Sequence, residues 1–279
     1  MIARRALALL LALAPLLQGH AAERVSWAVT DIPPSHILKG EKAGTGIIDT
    51  QIAYFAEHLR DFVHVTREVG NVRAWALLKE QDGICIAGAV DLPERRQFAV
   101  YSRPAMAILA PELLTRREGA ERFAPYRDET GAIDLSRLAA DTSLRAARSV
   151  DWPLGAQIEQ FTSNPGQSRL TTLPSPAQAV MMLEKGHVDY AFGYANEITY
   201  YRSTHPGSVE MMAIPVAGQP LVLYTHVACS DGPIGRRVIA DVDKLLGQSG
   251  GPPPYFEASA RWYDPDDFRE LSSRAIWSR

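Results

Sequence analysis

Residues 83 to 104 read Gly83-Ile-Cys-Ile-Ala-Gly-Ala-Val-Asp-Leu-Pro-Glu-Arg-Arg-Gln-Phe-Ala-Val-Tyr-Ser-Arg-Pro104, and the rest of the chain is organised around them. Ile84 to Val90 is a short apolar run of small and β-branched residues, the pattern of a strand buried on both faces of a parallel sheet. Asp91-Leu-Pro-Glu94 ends it, because Pro93 has no N–H for a ladder and restricts the residue before it. Arg95 and Arg96 follow, then a second short strand over Phe98 to Tyr101 that stops at Ser102-Arg-Pro104.

Upstream, Val25 to Thr30 alternates and is β-rich, and it stops at Asp31-Ile-Pro-Pro34. Ligands in open α/β sheets sit just beyond the carboxyl ends of strands, which makes Asp31 a candidate contact. Gly46 to Leu59 places Ile48, Ile52, Phe55 and Leu59 on one helical face. Val63 to Val69 reads as a strand and Arg73 to Lys79 as a short helix ended by Asp82-Gly83. The order β-α-β-α-β opens a doubly wound sheet.

Downstream, Ala105 to Leu114 reads as one long crossing strand and Arg116 to Thr130 as an irregular surface excursion. A short helix over Ile133 to Ala140, a strand over Ser143 to Val150, a helix over Ala156 to Phe161 and a strand over Arg169 to Leu173 come next. Ser175 then caps a helix with Pro176 in its first turn, running to Leu183. Gly186 caps its end, and a buried strand leads to Tyr194. That is a second β-α-β-α-β set, with a lobe of its own. Val209 to Val216 and Leu221 to Cys229 are returning strands. Ile234 to Leu246 is a helix, and Tyr255 to Ile276 a final helical segment behind a Gly-Pro linker. The hinge falls near Ala105–Leu109 and Ile214–Val216.

The first 22 residues differ in character. Arg4-Arg5, an apolar run over Ala6 to Leu17 and a small-residue exit at Gly19-His-Ala-Ala22 form a secretory signal peptide. Twelve apolar residues are too few to span a bilayer core, which needs about 20. Removing Arg4 and Arg5 from the 29 basic residues leaves 27 against 32 acidic ones, a net charge of −5. No basic block suits nucleic acid or an anionic membrane. The seven His are scattered, neither Cys85 nor Cys229 has the set of close Cys and His neighbours that a structural zinc site needs, and neither a phosphate loop nor a nucleophile elbow occurs, so the sequence offers no metal site and no cofactor.

Strand, basic turn, strand and Ser-x-Pro together resemble the segment of type II periplasmic solute-binding proteins, amino-acid-binding branch, that carries an Arg about seven residues before Phe-Ser-x-Pro. Asp31-x-Pro-Pro34 and Leu183-Glu-Lys-Gly-x-Val-Asp-Tyr190 are similar to that family's motifs as well. The resemblance implies an α/β, two-lobed fold of the periplasmic-binding-protein-like II type, each lobe a doubly wound, mostly parallel sheet with flanking helices. It divides the chain into lobe I (23–108), lobe II (109–215) and a return to lobe I (216–279). It also implies a periplasmic monomer that closes on a small polar, anionic solute for a membrane permease or sensor, with Arg95 fixing a carboxylate and Arg96 facing solvent.

The sequence departs from that family where an amino acid would be gripped. The hydroxyl positions seven, eight and five residues before the Arg hold Gly88, Ala87 and Val90, and the usual ammonium-pairing Asp is Tyr194. Asp31 or Glu197 is left to substitute, and a standard α-amino acid is disfavoured. Arg73, Trp152 and Tyr194 complete the candidate ligand set, each against a structural alternative as a helix start or as lobe packing; Trp27 and Phe192 read as core. Cys85 and Cys229 fall in one lobe if the return is real and then suit a disulfide, the alternative being two separate buried thiols. The competing function is a lyase of the cyclohexadienyl dehydratase type, with Glu94, Glu197 or Asp31 as general acid.

Overall fold

The computed structural model describes residues 22–150, 153–164 and 169–277. The signal peptide expected over residues 1–22 lies outside them except for Ala22. β1 (Glu23–Val29) and β2 (Phe62–Glu68) pair in parallel, from Glu23 opposite Phe62 to Val29 opposite Glu68. β3 (Ile84–Ala89) flanks β1 on its other side, also in parallel. Helices α1 (Ile47–His58) and α2 (Asn71–Glu80) make the crossovers.

The chain's return supplies β11 (Val222–Ser230), antiparallel to β3, with β4 (Ala99–Tyr101) beyond it and β5 (Met106–Leu109) along its first half. The first sheet is therefore ordered β2-β1-β3-β11-β4, with β5 also on β11. Its parallel strands alternate into two cores. Val25, Trp27, Val29 and Cys85 pack with α1 and the C-terminal helices, while Ala28, Ile84 and Ala89 pack with Leu77 and Leu78 of α2.

The second sheet collects β6 (Glu112–Arg116), β7 (Ala146–Ser149), β8 (Leu170–Leu173), β9 (Tyr190–Gly193) and β10 (Met211–Ile214) in the order β10-β6-β9-β7-β8. Only β9, β7 and β8 run parallel; β6 pairs antiparallel with both neighbours. Helices α3 (Leu135–Ala139), α4 (Ala156–Thr162), α5 (Pro176–Glu184) and α6 (Ala195–Thr204) flank it. Ser175 caps α5, its hydroxyl accepting from the Gln178 N–H. Asp189 of the Gly-x-Val-Asp run is structural: its carboxylate accepts from Arg145 N at 2.8 Å and from Arg122 Nη1 at 2.9 Å, which ties β9 to its surroundings.

Four expectations need correction. The continuous strand over Ala105 to Leu114 is two strands, because Pro111 has no N–H and the chain crosses between lobes at Ala110–Pro111. The hinge expected near Ala105–Leu109 and Ile214–Val216 therefore moves to Ala110–Pro111 and Pro215–Leu221, since Met106–Leu109 is paired with β11 and Ile214 ends β10. The Arg116–Thr130 excursion holds a 3-10 helix over Arg117–Tyr126 that buries Phe123. Helix α6 was not anticipated, since its ten residues carry Ile198 and Tyr201 as their only large buried hydrophobics.

The return to the first sheet runs through Pro215 to Leu221. There Gln219 Nε2 donates to Pro111 O at 3.2 Å and to Leu154 O at 3.0 Å, so one side chain holds both crossings to lobe II. Helices α7 (Pro233–Gln248), α8 (Pro254–Ala258) and α9 (Pro265–Arg274) close the chain on lobe I. Trp262, between α8 and α9, donates to Thr45 O of lobe I at 2.7 Å and packs 5.5 Å from Tyr200 of α6 in lobe II.

Cys85 and Cys229 are direct cross-strand partners on β3 and β11, 4.1 Å apart at Cα, and form a disulfide. Next to them, Asp82 receives Gly83 N, Ser230 Oγ, Ile234 N and Gly235 N at 2.8–3.0 Å. It joins the entry of β3 to the first turn of α7, whose N–H groups have no partner within the helix.

Candidate functional site: the cleft between the two lobes

β3 ends at the cleft, and the residues around its end form the lobe I wall. Gly88 stands at φ +73°, and a Cβ there would lie 2.8 Å from Ile48 Cδ1. The sequence placed Gly, Ala and Val where hydroxyls are usual, and the fold supplies a reason for the glycine. α1 approaches too closely for a side chain, and the β3–β11 register shifts beside it. After Ala89 the chain turns through Pro93–Gln97, a 3-10 helix with Pro93 in its first turn, and this aims Arg95 into the cleft.

The Arg95 guanidinium lies 3.8 Å above the Trp75 ring. Burial lowers its pKa from the ordinary value, with Tyr101 and Glu94 nearby acting in the other direction. Among the described residues no carboxylate forms an ion pair with it. Arg96, by contrast, is exposed and pairs with Asp91 on the outer side of the turn.

The loop from Asp31 to Gly46 makes the rim. His36 Nδ1 lies 2.8 Å from Asp49 Oδ1, and Asp49 Oδ2 accepts from Ile37 N and Gly46 N. Ile47 N and Ile48 N donate to Pro34 O and Ser35 O. These bonds hold Ile32, Pro33 and Pro34 over the cavity. Ile86, Ile108, Ala74 and Trp75 add more apolar wall, and Thr225 of β11 adds a hydroxyl. Thr225 is 2% exposed, and its Oγ1 has no hydrogen-bond partner among the described residues. A buried polar group left that way costs about 1–3 kcal/mol, which a ligand's polar atom would relieve.

Lobe II contributes Pro153, Tyr194, Asn196 and Glu197. Tyr194 caps the N-terminus of α6, and its hydroxyl donates to Pro153 O at 2.9 Å. Glu197, three positions on, accepts from the Tyr194 N–H, but burial dominates and pushes its pKa up to about 8, so the neutral acid prevails at pH 7. Gly193 makes room for it: a Cβ there would stand 2.4 Å from Glu197 Oε2. The cavity between the walls measures about 90 Å³, several times the ~10–15 Å³ that one water requires.

Of the residues singled out from sequence, the fold brings Arg95, Tyr194 and Glu197 to this cleft. Asp31 is exposed and off the wall, its carboxylate accepting from Leu38 N at 3.0 Å. Arg73 is exposed on α2 and pairs with Glu80 at 3.1 Å. Trp152 lies outside the described residues. Glu94 is exposed and likewise off the wall, which leaves Glu197 as the one acid offered for lyase chemistry that the cleft contains. Sequence reasoning missed Trp75, Asn196 and Thr225. Trp75 had a signal, since a large aromatic on the short helix that precedes the Arg turn suits a stacking partner for a guanidinium. Among the described residues no group of three or more His, Cys, Asp or Glu is placed to hold a metal ion, and no helix is long and apolar enough to cross a membrane.

No protein-family model and no curated protein matches the sequence. Solved structures match the fold. A histidine kinase sensor domain with similarity to periplasmic binding proteins superimposes at TM-score 0.61 and 18% identity, covering 87% of this chain and 98% of that one. The periplasmic VFT2 domain of BvgS from Bordetella pertussis gives 0.57 at 17% identity over 91% and 93%. The probable amino-acid ABC transporter extracellular-binding protein ytmK of Bacillus subtilis gives 0.61 at 12% identity over 87% and 99%. The chain thus has the two-lobed periplasmic-binding-protein-like fold that its sequence motifs implied.

Proposed function

We propose that this chain is an exported, periplasmic solute-binding receptor that closes its lobes on a small anionic solute and presents it to a membrane transporter or sensor. One observation carries the reading: Arg95 is a half-buried guanidinium on the wall of the interlobe cavity, stacked on Trp75 and without an ion-pair partner among the described residues. A desolvated charge is expensive unless it is matched, and a carboxylate on the solute matches it bidentately. The structural neighbours named as a transporter binding protein and a sensor domain support the two kinds of partner.

The test is a thermal-shift screen of carboxylates, in which a ligand at a hundred times its Kd raises stability by about 2.7 kcal/mol. For the strongest ligand, Arg95→Ala should weaken binding by about 2–5 kcal/mol with the fold intact, and Arg96→Ala should change little. Saturation should also shrink the radius of gyration in solution scattering as the lobes swing about Ala110–Pro111 and Pro215–Leu221. Equal losses from the two arginine variants, or none from Arg95→Ala, would refute the assignment.

A further inference from the structure

We infer that the cleft selects a carboxylic acid with an apolar body and no ammonium group. This rests on the receptor reading above and names the chemical class of its solute.

The wall decides it in three places. Arg95 is the one Lys or Arg side chain among the described wall residues, so the cleft takes a single anionic head group. Ile32, Ile47, Ile48, Ile86, Val90 and Ile108 face the same cavity, and a largely apolar ligand body is what such surface gains from burying, with the Thr225 hydroxyl left to meet one of the solute's polar atoms. For an ammonium there is little reception. Ala87 and Gly88 bring no side-chain oxygen, and the oxygens of Thr30, Ser35, Asn71, Tyr194, Asn196 and Thr225 on the wall are neutral and carry no charge to offset an ammonium's.

Glu197 is the one carboxyl group among the described wall residues. It is 8% exposed, packs against Gly193, and sits at the first turn of α6 with no Lys, Arg or His ion-paired to it among the described residues. Burial holds it neutral, with a pKa of about 8, so it offers the solute an O–H donor. Ionising it at pH 7 to receive an ammonium forfeits about tenfold in affinity, before the ammonium's own loss of water is counted. Among the described residues, the other ionisable side chains that share its cavity and the groove behind are His36, Arg95 and Tyr194 in front, with Tyr263 beside Tyr194, and Tyr200, Tyr201 and His205 behind. Every one of those tyrosines has its pKa raised by burial and stays neutral to pH 9.

The experiment uses the mature protein and calorimetric titration at pH 6.5. 3-Phenylpropanoate and 4-methylpentanoate are compared with their amino counterparts, L-phenylalanine and L-leucine, and with succinate, which has two carboxylates and no apolar body. The expected result is that at least one of the two apolar acids binds, and binds tenfold or more tightly than its amino counterpart. Its affinity should also fall as pH rises through about 8, when Glu197 loses its proton. In Glu197→Gln the ratio of affinities at pH 6.5 and pH 9 should go to one. His205→Asn run alongside should leave the wild-type ratio in place, which assigns the titration to Glu197.

An amino acid that equals or exceeds its des-amino analogue overturns the inference, and so does succinate binding tightest or a panel in which nothing binds. Arg95→Ala separates this from the receptor reading. If it abolishes binding of an amino acid or of succinate, the anchor stands and only the solute class falls. If it leaves the binding of every probe intact, the anchor itself falls.

Discussion

Replacing Cys85 and Cys229 together by Ala tests how the returning chain is secured. The bond joins residues 144 apart in sequence, and the loop it closes contains the whole second sheet. With a loop-closure entropy of −2.1 − 1.5R ln n cal/mol/K, such a loop corresponds to about 5 kcal/mol at 25 °C. That is an upper figure. If lobe II stays folded while lobe I opens, the two ends are already held closer than a random loop would hold them, and the gain shrinks toward about 2 kcal/mol. Both sulfurs are fully buried in the core with Trp27 and Phe55, so alanine is the right replacement; serine would bury two hydroxyls and add a separate cost. The assay is urea unfolding at pH 7, followed by tryptophan fluorescence for the Trp27 core and by far-UV circular dichroism for both lobes. A loss of about 2–5 kcal/mol is expected, larger by fluorescence than by dichroism if the lobes unfold separately. A loss below about 1 kcal/mol with an unchanged m value would refute the cross-link's role, as would two titratable thiols in denatured, unreduced wild-type protein.

Asp82→Ala removes four hydrogen bonds at the junction of β3 and α7; a loss of about 2–3 kcal/mol is expected from the urea midpoint, and a change under about 0.5 kcal/mol would show that water replaces the carboxylate. Gly235→Ala puts a Cβ 2.0 Å from the Ser230 carbonyl oxygen, which backbone cannot yield cheaply, so thermal unfolding should show a loss of about 1–3 kcal/mol, and an unshifted Tm would contradict the close approach. Glu112, half-buried at the first residue after the crossing, has its pKa raised from 4.5 to about 8, first by burial and then by Asp267 and Glu270 of α9. Its native form therefore holds a proton that the unfolded chain has lost between about pH 4.5 and 8, and stability should fall across that window by at most about 1.4 kcal/mol per pH unit. In Glu112→Gln that decline should be weaker, and parallel pH profiles for variant and wild type would remove Glu112 as its source.

The sequence by itself determined the β-α-β-α-β opening of the first sheet, the turn that ends β3 and the capped start of α5, because each of these is fixed within about ten residues of chain. A proline ends a strand and Ser175 caps a helix wherever the chain goes next. It also singled out Arg95, through the resemblance of its basic turn between two short strands to a family segment, and that pattern is local. The division of the Ala105–Leu114 run was local too, and Pro111 was the signal that should have been weighed. The tertiary structure alone decided what that arginine faces. Trp75 comes from α2, Thr225 from β11 and Glu197 from the far lobe, and no spacing in the sequence relates them. Asp31 illustrates the limit from the other side. It stands beyond a strand's carboxyl end, as ligand residues often do, yet its carboxylate turns to Leu38 N and leaves the cleft to its neighbours. The protonation of Glu197 was likewise out of reach, because it follows from the water excluded by residues that the fold, and not the chain order, packs around it.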